Sequence, residues 1–253
     1  APLASTTRRG RLSPEDTPLP PPARPDASPP PQDLLPHVAD QIARLSLSPD
    51  EPLIICDCDE VLLLFIDGLS AFLEGEGFRL DLDSFRIHGN VKEAATGAIA
   101  PNETVSALLK GFYDRPSHDL AAAPGAAQTL DSLARRSQVV VLTNVSPEAK
   151  PMREANLAAR GMTYPVIANH GLKGAAVAAL AERVGRPVFF LDDIPHNLAS
   201  VKAAVPECLC VHFIADPRLA GLLDQAPGSD YRARDWDDIG RFIAARLPGA
   251  GGA

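Results

Sequence analysis

From about residue 124 onward the chain alternates two kinds of apolar spacing. Apolar residues at helical intervals (Leu130 and Leu133, then Met152 and Leu157, then Val177, Leu180 and Val184) are each followed by a short, largely apolar run. These runs, at 138–142, 166–168, 187–191 and 208–214, have the length of strands buried on both faces. Further helices are expected over 198–204 and 236–247, the last with Asp235 able to cap it. An earlier run, Leu53-Ile54-Ile55, stands between Pro52 and polar residues, after a helix marked by Val38, Ile42 and Leu45. Strands alternating with helices of this length predict a parallel sheet covered on both faces.

Between the first and second strands the rhythm changes. Ile66, Leu69, Phe72 and Leu73 recur at helical spacing and stop near Gly75 and Gly77. A second helix fits Val105, Leu108, Leu109 and Phe112, entered through Pro101. No strong strand signal lies between them, so this reads as a helical insertion. The expected fold class is therefore α/β, a Rossmann-like parallel sheet flanked by helices with a small α-helical cap inserted after the first strand. Its parts are an α/β core at 33–65 and 121–247, a cap at 66–120, and tails at 1–32 and 248–253. Ten prolines crowd residues 1–32, which hold almost no large apolar side chains and so cannot offset their ordering entropy. That segment reads as a disordered or polyproline tail, and the last residues as a flexible one.

Composition narrows the partners. The 253 residues are 45% hydrophobic and 22% charged, ordinary for a globular chain, with a formal charge of -8. An acidic balance with one Trp and three Tyr argues against nucleic acid as a partner. Apolar runs such as 61–66 are too short to cross a bilayer, and Arg8, Arg9 and Arg11 lead into prolines instead of an apolar segment. No membrane partner is expected, and a cytoplasmic location is the default. Four cysteines form two pairs, Cys56/Cys58 and Cys208/Cys210, each placed within a predicted strand. Residues two apart on a strand share a face, so core packing is the expectation over a metal site or disulfide.

The strand ends carry the chemistry. The first strand delivers Asp57 and Asp59; the second ends Thr143-Asn144; the fourth ends Asp192-Asp193; and Lys173 opens a helix between them. Each has a dull explanation alone, as a helix cap or a solvated charge. Together they converge on one sheet edge, where open α/β folds bind ligands. Gathered carboxylates repel one another unless a cation neutralises them, and hard oxygen ligands suit Mg2+ with a substrate phosphate. A hydroxyl and an ammonium supply what a transferring phosphoryl group needs around its oxygens.

These residues resemble the four motifs of the haloacid dehalogenase superfamily. Asp57-Cys58-Asp59-Glu60-Val61 is similar to its first motif, Thr143 to the second, Lys173 to the third, and Asp192-Asp193-Ile194-Pro195-His196-Asn197 to the fourth, over roughly residues 53–214. The resemblance implies a phosphatase-type hydrolase with Mg2+ as cofactor and a small phosphorylated metabolite as substrate. Asp57 would be the nucleophile forming an aspartyl-phosphate and a metal ligand. Asp59 would be the general acid/base, also ligating the metal through its backbone carbonyl. Thr143, Asn144 and Lys173 would hold the phosphate, Asp193 would ligate the metal, and Asp192 would act beside it or through water. Dehalogenases of this superfamily lack the second acid, because a leaving halide needs no proton; Asp59 therefore favours ester hydrolysis. Arg86, His88, Lys92, Tyr113, Arg115 and His118 are the cap's polar groups, each read first as a solvated surface residue. Two other readings stand beside the phosphatase: a phosphomutase with the same acids, and an idle member acting as a binding or scaffold protein. A signalling receiver domain gathers similar groups, but in the reverse order along a chain half this length.

Overall fold

The apolar runs at 53–55, 138–142, 166–168, 187–191 and 208–214 each form a strand of one sheet in a computed structural model, which describes residues 33–113, 119–185 and 187–249. The proline-rich segment 1–32, Arg115 and His118 of the insertion, and residues 250–253 of the expected C-terminal tail lie outside the described residues. In chain order the elements are α1 (Pro36–Ala43), β1 (Leu53–Cys56), α2 (Phe65–Gly75), β2 (Phe78–Leu80), β3 (Val91–Glu93), α3 (Asn102–Tyr113), α4 (Ala126–Leu133) and β4 (Gln138–Asn144). They continue with α5 (Lys150–Ala159), β5 (Val166–Asn169), α6 (Gly174–Ala181), β6 (Val188–Asp192), α7 (Pro195–Ala204), β7 (Leu209–His212), α8 (Pro217–Ala220), β8 (Tyr231–Arg232) and α9 (Trp236–Ala244).

The main sheet has the order β5-β4-β1-β6-β7-β8, with every pairing parallel. Side-chain alternation along β1 divides the core. Leu53 and Ile55 join Val38, Val177 and Leu198 on one face, while Ile54 and Cys56 join Leu130, Trp236 and Ile239 on the other. Both faces are thus covered, which is why the strands read as unbroken apolar runs instead of alternating ones. All four cysteines are buried and unpaired by disulfide, with Cys58 and Cys208 just outside the strands. Packing accounts for them. The Asp235 side chain accepts the Asp238 N–H at 2.7 Å and caps α9 as expected.

The sheet order fixes where a ligand can sit. The chain leaves β1 toward β4 and β5 on one side, then returns to build β6, β7 and β8 on the other, so the switch point lies at the end of β1. Cys56 pairs with Val141 of β4 and Leu191 of β6. Asp57 and Asp192 therefore leave the sheet at one level, with Thr143 two residues past Val141.

The segment between β1 and β4 holds the two expected helices, α2 ending at Gly75 and α3 covering Val105 and Phe112. It also holds an antiparallel ribbon of β2 and β3 that the sequence pattern did not reveal. Three-residue strands are too short to show alternation, and Arg79, Lys92 and Glu93 fill half their positions with charge. Strand β8, two residues long, escaped detection for the same reason. Gly77, with φ +82°, turns the chain out of α2 into β2, in a conformation that penalises a Cβ. No helix among the described residues is long and apolar enough to cross a membrane.

Candidate active site

The site begins with the turn that follows β1. The Cys58 carbonyl accepts the N–H groups of Leu62 and Leu63 at 2.8 and 2.9 Å, folding the chain back on itself. Glu60 sits inside the turn at φ +56°, a conformation that non-glycine residues adopt at a cost. Four hydrogen bonds hold it there. Its N–H donates to Leu63 O at 2.8 Å, and its carbonyl accepts Ala215 N–H at 2.7 Å. Its carboxylate accepts Ile66 N–H at 2.7 Å and Asp216 N–H at 3.0 Å. Burial pushes the Glu60 carboxyl up to about 7, against the lowering effect of those two N–H groups. Trp236 Nε1 donates to the Val61 carbonyl at 3.0 Å and ties the turn to α9. The turn is rigid, so Asp57 and Asp59 have fixed places.

Asp57, Asp192 and Asp193 form a cluster of buried carboxylates whose ligand atoms lie within 4.8 Å of one another. Lys173, fully buried, meets two of them: its Nζ is 2.8 Å from Asp57 and 2.7 Å from Asp192. Gly174 makes this delivery possible, because a Cβ there would lie 2.5 Å from the Ser200 carbonyl where α6 abuts α7. Asp192 is saturated. It also accepts Ile194 N–H at 2.8 Å and the Asn197 amide at 3.1 Å. The Asp193 carboxylate accepts no hydrogen bond among the described residues. Burial, with Asp192 and Asp57 beside it, holds Asp193 well above the usual carboxylate range. Burial also pushes Asp192 up to about 6, with Lys173 opposing and Asp57 adding. Burial works against the Lys173 charge, yet Asp192 and Asp57 outweigh it and keep the ammonium protonated.

One cation against three acids leaves an excess of negative charge in a dry place. Raised carboxyl groups bind more protons in the folded than in the unfolded chain, so their stabilisation is present at low pH and lost as pH rises through the folded values. His212 works the other way. Burial and then Arg232 lower it to about 4, so its contribution grows with pH and is complete above its ordinary value of 6.5. Without divalent metal, thermal stability is therefore expected to fall between about pH 6.5 and 8, as the Glu60 carboxyl loses its proton. Glu60 alone is worth about 1 kcal/mol over that window, and the loss should appear as a drop of a few degrees in Tm. A metal-free Tm that rises from pH 6.5 to 8 would contradict the raised Glu60 carboxyl.

Asp59 has a different partner. Its carboxylate, set in the same turn, meets Arg153 of α5, whose Nη2 lies 2.9 Å from one oxygen and 3.1 Å from the other. Arg153 is 2% exposed, and its Nε and Nη1 find no acceptor among the described residues. Burial raises Asp59 above the usual carboxylate range, Arg153 pulls it down, and Asp57 adds to the rise. Arg153 escaped the sequence reading, although it shares the inward stripe of α5 with Asn156 and Leu157. Charge at such a position was the available signal. Asn197, noted within the fourth motif but given no role there, proves to hold Asp192.

Thr143 is buried at the end of β4, and Asn144 is exposed beside it. The Asn144 amide donates to Gly171 O at 3.0 Å and accepts from Asn169 at 2.8 Å, tethering the segment that leads to Lys173. A cavity of about 360 Å³ opens above these residues, lined by Asp57, Asp59, Thr143, Asn144, Asp193 and Asn197 from the sheet edge. Asp192 and Lys173 lie beneath it. Of the cap's polar groups, Arg86 and Tyr113 line the cavity. His88 instead faces Ser106 Oγ at 3.2 Å, and Lys92 pairs with Asp81 at 2.7 Å.

No protein-family model matches this sequence, and no curated protein does. Solved structures do. The chain is similar to a haloacid dehalogenase-like protein of unknown function from Agrobacterium tumefaciens, at 19% identity and TM-score 0.53 over 76% of this chain and 97% of that one. It is similar to a subfamily IA hydrolase of the haloacid dehalogenase superfamily from Geobacter sulfurreducens, at 20% identity and TM-score 0.50 over 78% and 99%. It is also similar to the L-2-haloacid dehalogenase of Xanthobacter autotrophicus, at 13% identity and TM-score 0.51 over 77% and 99%. The fold is that of the haloacid dehalogenase-like hydrolases, as the four motifs led one to expect.

Proposed function

We propose that the chain is a Mg2+-dependent phosphohydrolase that cleaves a phosphate monoester through an aspartyl-phosphate on Asp57. The observation that carries this reading is the cluster of Asp57, Asp192 and Asp193, three carboxylates within 4.8 Å beside a single ammonium at the floor of a cavity. Such a donor set, all hard oxygen and short of positive charge, fits Mg2+. Asp57 and Asp193 would hold the ion with the Asp59 carbonyl, while Asp192, already saturated, would orient Lys173 and take part less directly. Bound there, Mg2+ would neutralise charge on the phosphoryl oxygens and the cluster.

The chain's own residues then divide the work. One Asp57 oxygen is held by Lys173 and by the Cys58 N–H at 2.7 Å, which leaves the other for attack on phosphorus. As the new P–O bond forms, the ester P–O bond breaks, and the departing alkoxide takes a proton from Asp59. Thr143 and Asn144 donate to the phosphoryl oxygens. Asp59 next takes a proton from the water that attacks the aspartyl-phosphate, which releases phosphate and restores Asp57. The raised Asp59 carboxyl suits a group that must hold a proton and return it, and Arg153 fixes its orientation. An alkoxide needs that proton and a halide does not, so Asp59 favours ester hydrolysis over dehalogenation.

The test is phosphate release from 4-nitrophenyl phosphate and a panel of phosphate monoesters, with Mg2+ and with chelator. Turnover that requires Mg2+ is expected. Chloride release from 2-chloropropionate, with no phosphate released from any ester, would overturn the reading.

A further inference from the structure

We infer that the ester's leaving group is an apolar, aromatic body carrying a carboxylate, read by the loop between β2 and β3. This deepens the phosphohydrolase reading and rests on it. The apolar part of the cavity wall is built by Phe65 and Tyr113, whose rings stack at 5.9 Å with 27° between planes, and by Leu82, Phe85 and Ile87 of that loop. Arg86 stands beside them as the wall's only cation among the described residues.

The loop is a built structure. Asn90, buried, donates to the Ser84 carbonyl at 2.9 Å and the Arg86 carbonyl at 2.8 Å, while the Asn90 carbonyl accepts Asp81 N–H at 2.9 Å. Gly89, at φ +89°, allows the chain to curl around that amide. Residues 85–87 are thereby held in one arrangement, with two apolar side chains flanking a guanidinium. Arg86 has no ion-pair partner among the described residues, whereas the neighbouring Lys92 is committed to Asp81.

Two of the lining polar residues that could take sugar hydroxyls, Glu60 and Asn197, are already occupied. Both Glu60 oxygens accept backbone N–H groups, and the Asn197 amide is on Asp192. A sugar would bring several hydroxyls out of water against Leu82, Phe85 and Ile87, and each unmet hydroxyl costs affinity. An aromatic ring loses nothing there and can lie against the Phe65–Tyr113 pair. The planar fork of Arg86 matches a carboxylate at the ring's far end. A second phosphate is less suitable, because the cavity of about 360 Å³ is small and its floor is already acidic.

The experiment compares kcat/KM for phenyl phosphate, 4-carboxyphenyl phosphate and glucose 6-phosphate in Mg2+, for the intact protein and for Arg86→Gln. The carboxylated ester should exceed phenyl phosphate by roughly tenfold or more, through KM, as expected of a charge-assisted pair. Phenyl phosphate should in turn exceed glucose 6-phosphate. Arg86→Gln should bring the ratio of the two aryl esters toward one; comparing ratios cancels their difference in leaving-group reactivity. A ratio that survives Arg86→Gln, or a preference for glucose 6-phosphate, would overturn the inference while leaving the phosphohydrolase reading intact. Failure of every ester in Mg2+ would overturn that reading, and this one with it.

Discussion

Asp57→Asn is expected to lower Mg2+-dependent phosphate release by more than about 10³-fold while leaving the protein folded. The amide oxygen can still accept from Lys173 and from the Cys58 N–H, as one Asp57 oxygen does at 2.8 and 2.7 Å. The amide nitrogen takes the place of the other oxygen, and its lone pair, delocalised into the carbonyl, does not attack phosphorus. Only the reacting atom is lost. The substitution also removes one negative charge from a cluster that holds too many, so thermal stability without metal should be unchanged or higher. Initial rates with an aryl phosphate, a circular-dichroism melt and intact-protein mass after brief mixing with substrate would separate these effects. The intact protein should carry a phosphoryl adduct that Asp57→Asn lacks. Mg2+-dependent turnover within tenfold of the intact protein would remove Asp57 from the role of nucleophile.

Much of this site is legible in the sequence because parallel strands make it so. A strand buried on both faces is an apolar run, and the first polar residues after it mark the ligand edge. Asp57, Thr143, Asn144, Asp192 and Asp193 could all be placed by that rule, and the helix that follows β5 brought Lys173. What the rule cannot supply is the pairing of groups from different elements. Asp192 and Asp193 are adjacent in sequence, yet alternation turns one toward Lys173 and Asn197 and leaves the other without a hydrogen bond. The Asp59–Arg153 pair joins positions 94 residues apart, on a helix whose inward face carries a charge where an apolar residue was expected. The β2–β3 ribbon is held by a few backbone pairs and a buried amide, neither of which leaves a periodic trace. Periodicity reports burial of whole faces. It says little about loops whose shape depends on one side chain such as Asn90.

Lys173→Met should cost the metal-free protein about 3–5 kcal/mol near pH 8, the range for breaking a buried ion pair by removing one partner. Met fills similar volume, so the loss is electrostatic. The ammonium lies 2.8 Å from Asp57 and 2.7 Å from Asp192, and without it three carboxylates within 4.8 Å face one another in a buried place. Against a usual total of about 5–15 kcal/mol, that loss should lower Tm by roughly 10 °C. The acids have two ways to relieve it. They can take up protons, so the penalty should shrink toward pH 5, and they can bind a divalent cation, so Mg2+ should raise the Tm of the variant more than that of the intact protein. Asp192→Asn placed in the same chain removes one of the stranded charges and should return part of the stability, a non-additive result that volume alone does not give. Equal Tm values for Lys173→Met and the intact protein at pH 8 in chelator would mean that the carboxylates are already protonated or solvated. In that case the charge excess on which the metal site rests would be absent.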